Sequence, residues 1–367
     1  MPTKREVAVF TKIIAKIKKH AKAKLASTDT TGGGETFNTL ETEPSWTLRN
    51  PTTDDESLVM STGFFIYQNL GGKGAGPVFE DGKLYVPAWP HSHHYNLEGN
   101  DKSFTQFKTD SRLHGFARGT GAFIGPNTVL TARHLFVDFH IHQRRIWFVM
   151  NAAFWDPSSD PQAPYKWKTT PRDPKFGEEL EYDSYLEIDE KFVLSVKPPL
   201  AGSEHKASNG ADWLVLEVEA RPGVATIPKR EQLCLASAPW PAETGITVPG
   251  HPRGLPLKVA EGAALQEATD DIGFAWFDVA GGTSGAPWLV CAPQHRIISV
   301  QSGRTFDHYP DGADQPARAH VCEQQNMSVD PKDDVCRLQP GTSIDYIRSQ
   351  YPAIAKFDCN TPTHEEP

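Results

Sequence analysis

Three residues, His134, Asp212 and Ser284, have the types and settings that suit one kind of chemistry. Ser284 stands in "GGTSGAPWLV", on a turn shared with Gly281, Gly282 and Gly285, directly before an apolar run. Glycines that close together cost backbone entropy, and they are kept where a chain bends sharply or approaches something closely. His134 follows the apolar run in "TVLTARHLF", and Asp212 opens the run in "ADWLVLEV". A serine hydroxyl is a poor nucleophile at neutral pH. It becomes effective when an imidazole takes its proton and later returns it to the leaving group. A carboxylate on the far ring nitrogen fixes the tautomer and stabilises the imidazolium. The tetrahedral oxyanion then needs backbone donors, and the N–H groups of Gly282 and Ser284 can supply them. A Cβ at position 282 would strain the turn that aims them. The set implies acyl transfer at a carbonyl, with no cofactor.

The order His…Asp…Ser separates this set from the Asp…His…Ser and Ser…Asp…His arrangements, which argues against an esterase of the last type. A non-catalytic binding module is the alternative from another class, and the retention of all three residues weighs against it.

The elements that must hold these residues read as strands. "GTGAFIG", "TVLTARHLFV", "RIWFVMNAAF", "DWLVLEVEA", "GITVPGHP", "GFAWFDVA", "PWLVC" and "RIISVQSG" are short apolar runs bounded by Gly, Pro and Asp. With 29 Gly and 30 Pro among 367 residues, turns are frequent, and an all-β barrel or sandwich is expected. Near the end, "TSIDYIRSQYPAI" carries a Thr/Ser cap and Ile344, Ile347, Tyr351 and Ile354 at helical spacing. Residues 304–341 read as a long polar loop, and no internal repeat is visible.

Net charge is −9, so bulk charge does not make the body a nucleic-acid binder. Residues 1–25 carry seven Lys and one Arg against one Glu, about +7, which leaves about −16 for the rest. Val9, Ile13 and Ile17 share a helical face, with Phe10 and Ile14 beside them. This basic amphipathic helix is expected either to dock on an acidic membrane surface or a partner, or to pack on the acidic body. Residues 26–58 read as a polar linker or pro-segment, residues 59–358 as the folded domain and 359–367 as a tail. Lysines break the apolar stretch at the N-terminus, so it is not a standard signal peptide. No apolar run reaches 18 residues. The reading leans toward an intracellular monomer. His91, His93, His94, His140 and His142 have spacings that suit zinc but lack a Cys or acid partner set, so no metal is expected. The cysteines are Cys234, Cys291, Cys322, Cys336 and Cys359, with no CxxC. Cys322 and Cys336 flank a polar loop that a disulfide would close under oxidising conditions.

"GTGAFIGPNTVLTARHLF", "ADWLVLEV", "VPGHPRGLPLKVAEGA" and "FDVAGGTSGAP" resemble blocks of trypsin-like serine peptidases, especially the V8-like (glutamyl endopeptidase) branch. The resemblance covers roughly residues 110–350. It implies an all-β fold of two six-stranded barrels with a cleft between them, followed by the C-terminal helix and preceded by the helical and linker extension. By motif, His134 becomes the base, Asp212 the orienter, Ser284 the nucleophile and Gly282 part of the oxyanion hole. Arg133, Leu135 and Thr283 depart from the family pattern. Thr283 carries no charge, so it cannot supply a charged zymogen lock. Asp278, six residues before Ser284, matches the pocket-base carboxylate of trypsins, which would favour Arg or Lys in the substrate. Gln301, with Ser302 and Gly303, matches the pocket strand that carries a His in the V8-like branch. An uncharged Gln weakens a preference for glutamate, and a basic preference stays open. "NAAFWDPSSDPQAPYKWKTTPRDPKFGEELEYD" is expected to be a Pro-rich insertion on the cleft or barrel surface.

Overall fold

The computed structural model describes residues 48–69, 77–90, 111–113, 117–137, 144–150, 168–171, 184–199, 202, 204–206, 211–224, 227–236, 244–269, 272–277, 282–290, 295–302 and 338–359. The basic helix expected at 1–25, the linker up to 47, the His clusters, Cys322 and Cys336 lie outside them.

Two closed antiparallel barrels make up the body. The first contains β1 (Thr62–Asn69), β2 (Ala117–Gly125), β3 (Thr128–Thr131), β4 (Arg144–Met150), β5 (Val193–Val196) and β6 (Asp212–Ala220). The second contains β7 (Thr244–Gly250), β8 (Lys258–Thr269), β9 (Ile272–Trp276), β10 (Pro287–Val290), β11 (Arg296–Gln301) and β12 (Leu338–Ser343). Around the first barrel the order is β1-β2-β3-β6-β5-β4, with β4 pairing back to β1. Around the second it is β7-β8-β9-β12-β11-β10, with β10 pairing back to β7. The same strand order is thus used twice, although the sequence shows no repeat. Closure removes the exposed edges an open sheet would have.

The strand sequences follow from where their two faces go. In β6, Leu214, Leu216 and Val218 point into the first barrel, whereas Trp213 and Val215 join a second cluster. That cluster also takes Ala122 and Ile124 from β2, Leu130 from β3, Leu289 from β10 and Ile297 and Val300 from β11. It is the seam between the barrels. A strand buried on both faces reads as a continuous apolar run rather than an alternation, which accounts for "DWLVLEV". A five-stranded sheet covers the first barrel, with Leu84, Val86, Leu186 and Ile188 joining its core. The insertion between His134 and Asp212 adds Lys168–Pro171 to this sheet, paired with Ser184–Glu187.

Three expectations need correction. Residues 48–58 belong to the folded body rather than to a linker. Leu48–Arg49 pairs with Val259–Ala260 of β8, and the short helix Glu56–Ser61 buries Leu58 in the seam. Asp55 anchors this segment by accepting from Arg49 Nη1 (2.6 Å) and Thr52 N (2.7 Å); these bonds hold its carboxyl below the usual range, although burial opposes them. The polar loop ends sooner than expected, because Leu338–Gly341 begins β12. Its Pro and Gly suggest a turn, but Gly341 is needed where Trp288 packs: a Cβ there would lie 2.6 Å from the Trp288 ring. The domain also extends past 358, since Cys359 is disulfide-bonded to Cys234, 125 residues earlier. Disulfides persist in oxidising compartments, so this bond weighs against the intracellular expectation.

The C-terminal helix Ile344–Gln350 forms as the sequence suggests. Ser343 caps it by accepting from Tyr346 N (3.1 Å), and Ile344 and Ile347 face the seam.

Replacing Cys234 and Cys359 together by Ser should lower unfolding stability by about 2–5 kcal/mol, because a loop of this length is no longer closed in the unfolded chain. Denaturant titration of the two proteins checks this.

Candidate active site

β3 ends at Thr131, and the chain turns through Ala132 and Arg133 into the short helix His134–Val137. His134 is held twice by one carboxylate. Its backbone N–H donates to Asp212 Oδ1 at 2.9 Å, and its ring Nδ1 is hydrogen-bonded to Oδ2. The side chain of Asp212 is only 7% exposed, against 30% for His134. The carboxylate is therefore shielded while the ring reaches the surface. With Nδ1–H committed to Asp212, Nε2 is left as the basic nitrogen.

Asp212 is fixed from the other barrel. Its N–H donates to Thr342 Oγ1 (2.8 Å), and Thr342 Oγ1 also contacts Ser302 Oγ (2.8 Å). Ser302, expected in a pocket wall, thus stands behind Asp212.

The Ser284 turn comes from the second barrel and is seated on the first. Gly282 and Gly285 have φ of +101° and +84°, the left-handed region that side chains disfavour. A Cβ on Gly285 would lie 2.2 Å from both Thr120 O and Thr131 Oγ1, and 2.9 Å from Ala132 N. The turn therefore touches the chain two residues before His134, and no side chain fits between them. Ser284 O accepts from Thr120 N (2.8 Å), Gly285 N donates to Gln301 O (2.8 Å) and Ala286 N to Thr283 O (2.9 Å). Among the described residues, no acceptor takes the N–H of Gly282 or Ser284, and no hydrogen bond joins Ser284 Oγ to His134 Nε2. Thr283, next to the serine, is buried, and its hydroxyl makes no hydrogen bond among the described residues.

Gln301 supports the turn through its backbone. Its side chain is 2% exposed and lies inside the second barrel, where Oε1 accepts from Trp288 Nε1 (3.1 Å). Asp278 and Gly303 lie outside the described residues. No group of three or more His, Cys, Asp or Glu that could hold a metal occurs among the described residues, nor is any helix there long and apolar enough to cross a membrane.

Two residues of the site escaped the sequence reading. Thr342 was legible only as part of a helix cap, and Thr120 only as one residue of a strand.

No family model and no curated protein matches the chain. Solved structures similar to it include the inactive form of Rv3671c from M. tuberculosis H37Rv, at 13% identity and TM-score 0.35, covering 65% of this chain and 81% of that one. Human heparin binding protein matches at 13% identity and TM-score 0.38, over 65% and 86% of the two chains. The VesB protease of Vibrio cholerae matches at 12% identity and TM-score 0.41, over 84% and 66%. At these values the likenesses carry no weight for activity, and the double barrel stands on its own strand pairings.

Gly285→Ala should lower the thermal midpoint and abolish labelling of Ser284 by a fluorophosphonate, whereas Gly245→Ala, with open space around its Cβ, should alter neither. Differential scanning fluorimetry and gel labelling read both effects.

His251, beside Phe64, is fully buried, with Nδ1 donating to Leu255 O (3.1 Å). Burial pushes its pKa down from 6.5 to about 3; the Leu255 bond opposes this and the nearby Lys258 charge adds to it. Below pH 6.5 the unfolded chain binds a proton that the folded chain refuses until about pH 3. Its contribution to stability is thus present above pH 6.5 and falls as the pH drops, by at most about 1.4 kcal/mol per pH unit. Denaturant titrations from pH 6.5 to 5 should show a shallower fall for His251→Gln.

Proposed function

We propose that the chain is a serine endopeptidase acting on proteins or peptides through an acyl-enzyme. The observation that carries this reading is the double grip of Asp212 on His134, with the Ser284 turn seated on the residues just before that histidine. Ser284 Oγ attacks the substrate carbonyl while His134 Nε2 takes its proton. Negative charge gathers on the carbonyl oxygen, and the N–H groups of Gly282 and Ser284 receive it. His134 returns the proton to the departing amine as the C–N bond breaks. A water deprotonated by the same nitrogen then attacks the ester; His134 passes that proton to Ser284 Oγ as the acyl–oxygen bond breaks, and the acid product leaves. Throughout, Asp212 keeps the ring oriented and offsets the imidazolium charge. Closeness to the V8-like branch is the finer part of the reading and rests on the sequence blocks alone.

One observation favours the alternative, a catalytically inactive binding module on the protease fold: Ser284 Oγ and His134 Nε2 share no hydrogen bond among the described residues. Such bonds are often long before substrate binds and tighten in the complex, so the peptidase reading stands first.

A fluorophosphonate probe should label the wild-type chain and not Ser284→Ala. Hydrolysis of a peptide library should fall by roughly 10⁴-fold or more in both Ser284→Ala and His134→Ala. A folded wild-type chain that takes up no probe and cleaves nothing would make it the binding module instead.

A further inference from the structure

Thr120 of β2 carries four hydrogen bonds around the Ser284 turn. Its N–H donates to Ser284 O (2.8 Å), and its carbonyl accepts from Thr131 Oγ1 (2.7 Å). Its hydroxyl accepts from the backbone N–H of His251 (3.1 Å) and donates to Gly282 O (2.9 Å). The direction of the last bond is forced. A hydroxyl has one proton; the His251 amide can only donate and the Gly282 carbonyl can only accept. Thr120 is fully buried, so water does not compete for either partner.

We propose that Thr120 is a positioning residue for the oxyanion hole: its hydroxyl anchors the Gly282 carbonyl, and with it the Gly282–Thr283 peptide that links the two donor N–H groups. This rests on the peptidase reading. Two carbonyls, Gly282 O and Thr283 O, lie between the two donor N–H groups along the chain, and both are anchored. Thr283 O is held within the turn by Ala286 N, which sends the N–H of Ser284 the opposite way across a planar trans peptide. Gly282 has no such partner inside its own turn among the described residues. A glycine at φ +101° can reach many other conformations at little steric cost, so its state must be set from outside. The Thr120 hydroxyl, on the opposite barrel, sets it. The packing agrees: a Cβ at Gly250, next to His251, would meet Thr283 Cγ2 at 3.0 Å and Thr120 Oγ1 at 3.5 Å. Gly250, His251, Thr120 and the turn are thus packed as one unit. The alignment of the two barrels is thereby transmitted to two backbone amides.

Thr120→Val keeps the shape and removes the hydroxyl, whereas Thr120→Ser keeps the hydroxyl. The test measures phosphonylation of Ser284 by a fluorophosphonate and acylation by p-nitrophenyl acetate. It separates the maximal rate from the half-saturating concentration, with near-UV circular dichroism as the check on folding. Thr120→Val should lose about 10- to 100-fold in maximal rate with little change in half-saturation, because a misdirected oxyanion donor acts on the transition state and not on binding. Thr120→Ser should recover most of that rate. The affinity for a peptide boronate, whose tetrahedral oxygen occupies the hole, should fall with the rate across the series. A folded Thr120→Val that reacts as fast as wild type, or one whose loss lies wholly in half-saturation or thermal stability, overturns the assignment of Thr120 alone. A folded wild type that reacts with neither probe overturns the peptidase reading, and this inference with it.

Discussion

The contact on which the site depends is the one at Gly285, where the backbone of one barrel meets that of the other with no room for a carbon atom. A Cβ there would lie 2.2 Å from Thr120 O and Thr131 Oγ1, far inside any tolerated separation. This fixes how closely the barrels approach, and therefore how far the serine of one stands from the histidine of the other. Packing in the seam can be adjusted by a methyl group here or there at modest cost. A glycine pressed between backbone atoms allows no such adjustment.

Around that contact the hydrogen bonds cross the seam in both directions. Thr120, from the first barrel, grips the serine turn of the second; Thr342, from the second, grips Asp212 of the first. Each barrel thus supports the chemical group that the other supplies. On the peptidase reading, neither barrel carries the reaction alone. The seam cluster of Ala122, Leu130, Trp213, Val215, Leu289 and Ile297 supplies the apolar burial, and the threonines supply direction.

Much of this was legible in the residues themselves. Glycines at 282 and 285 announced a strained turn, and their positive φ values give the reason. Strand runs, the terminal helix and its cap could be read from spacing. The pairing of Cys234 with Cys359 could not, because 125 residues separate them and no local pattern links them. Residues 48–58 looked like linker because their polar side chains form caps and ion pairs, as Asp55 does with Arg49 and Thr52, while only Leu48 and Leu58 enter the core. β12 looked like loop because Gly341 and Pro340 are turn residues in most settings, and here a tryptophan from the facing strand requires the glycine. Thr120 and Thr342 carry no signature, since a hydroxyl that aims a backbone group looks in sequence like any strand threonine.

Thr342 also has a consequence for the timing of synthesis. His134, Asp212 and Ser284 all leave the ribosome before residues 338–343 do. β12 nevertheless closes the second barrel, pairing with both β9 and β11, and brings the hydroxyl that holds Asp212. A nascent chain stopped at residue 337 would therefore contain all three residues and still lack the strand that aligns them. On the peptidase reading, the newborn protein stays harmless to its surroundings until residues 338–343 have emerged, with no separate inhibitor needed over that interval.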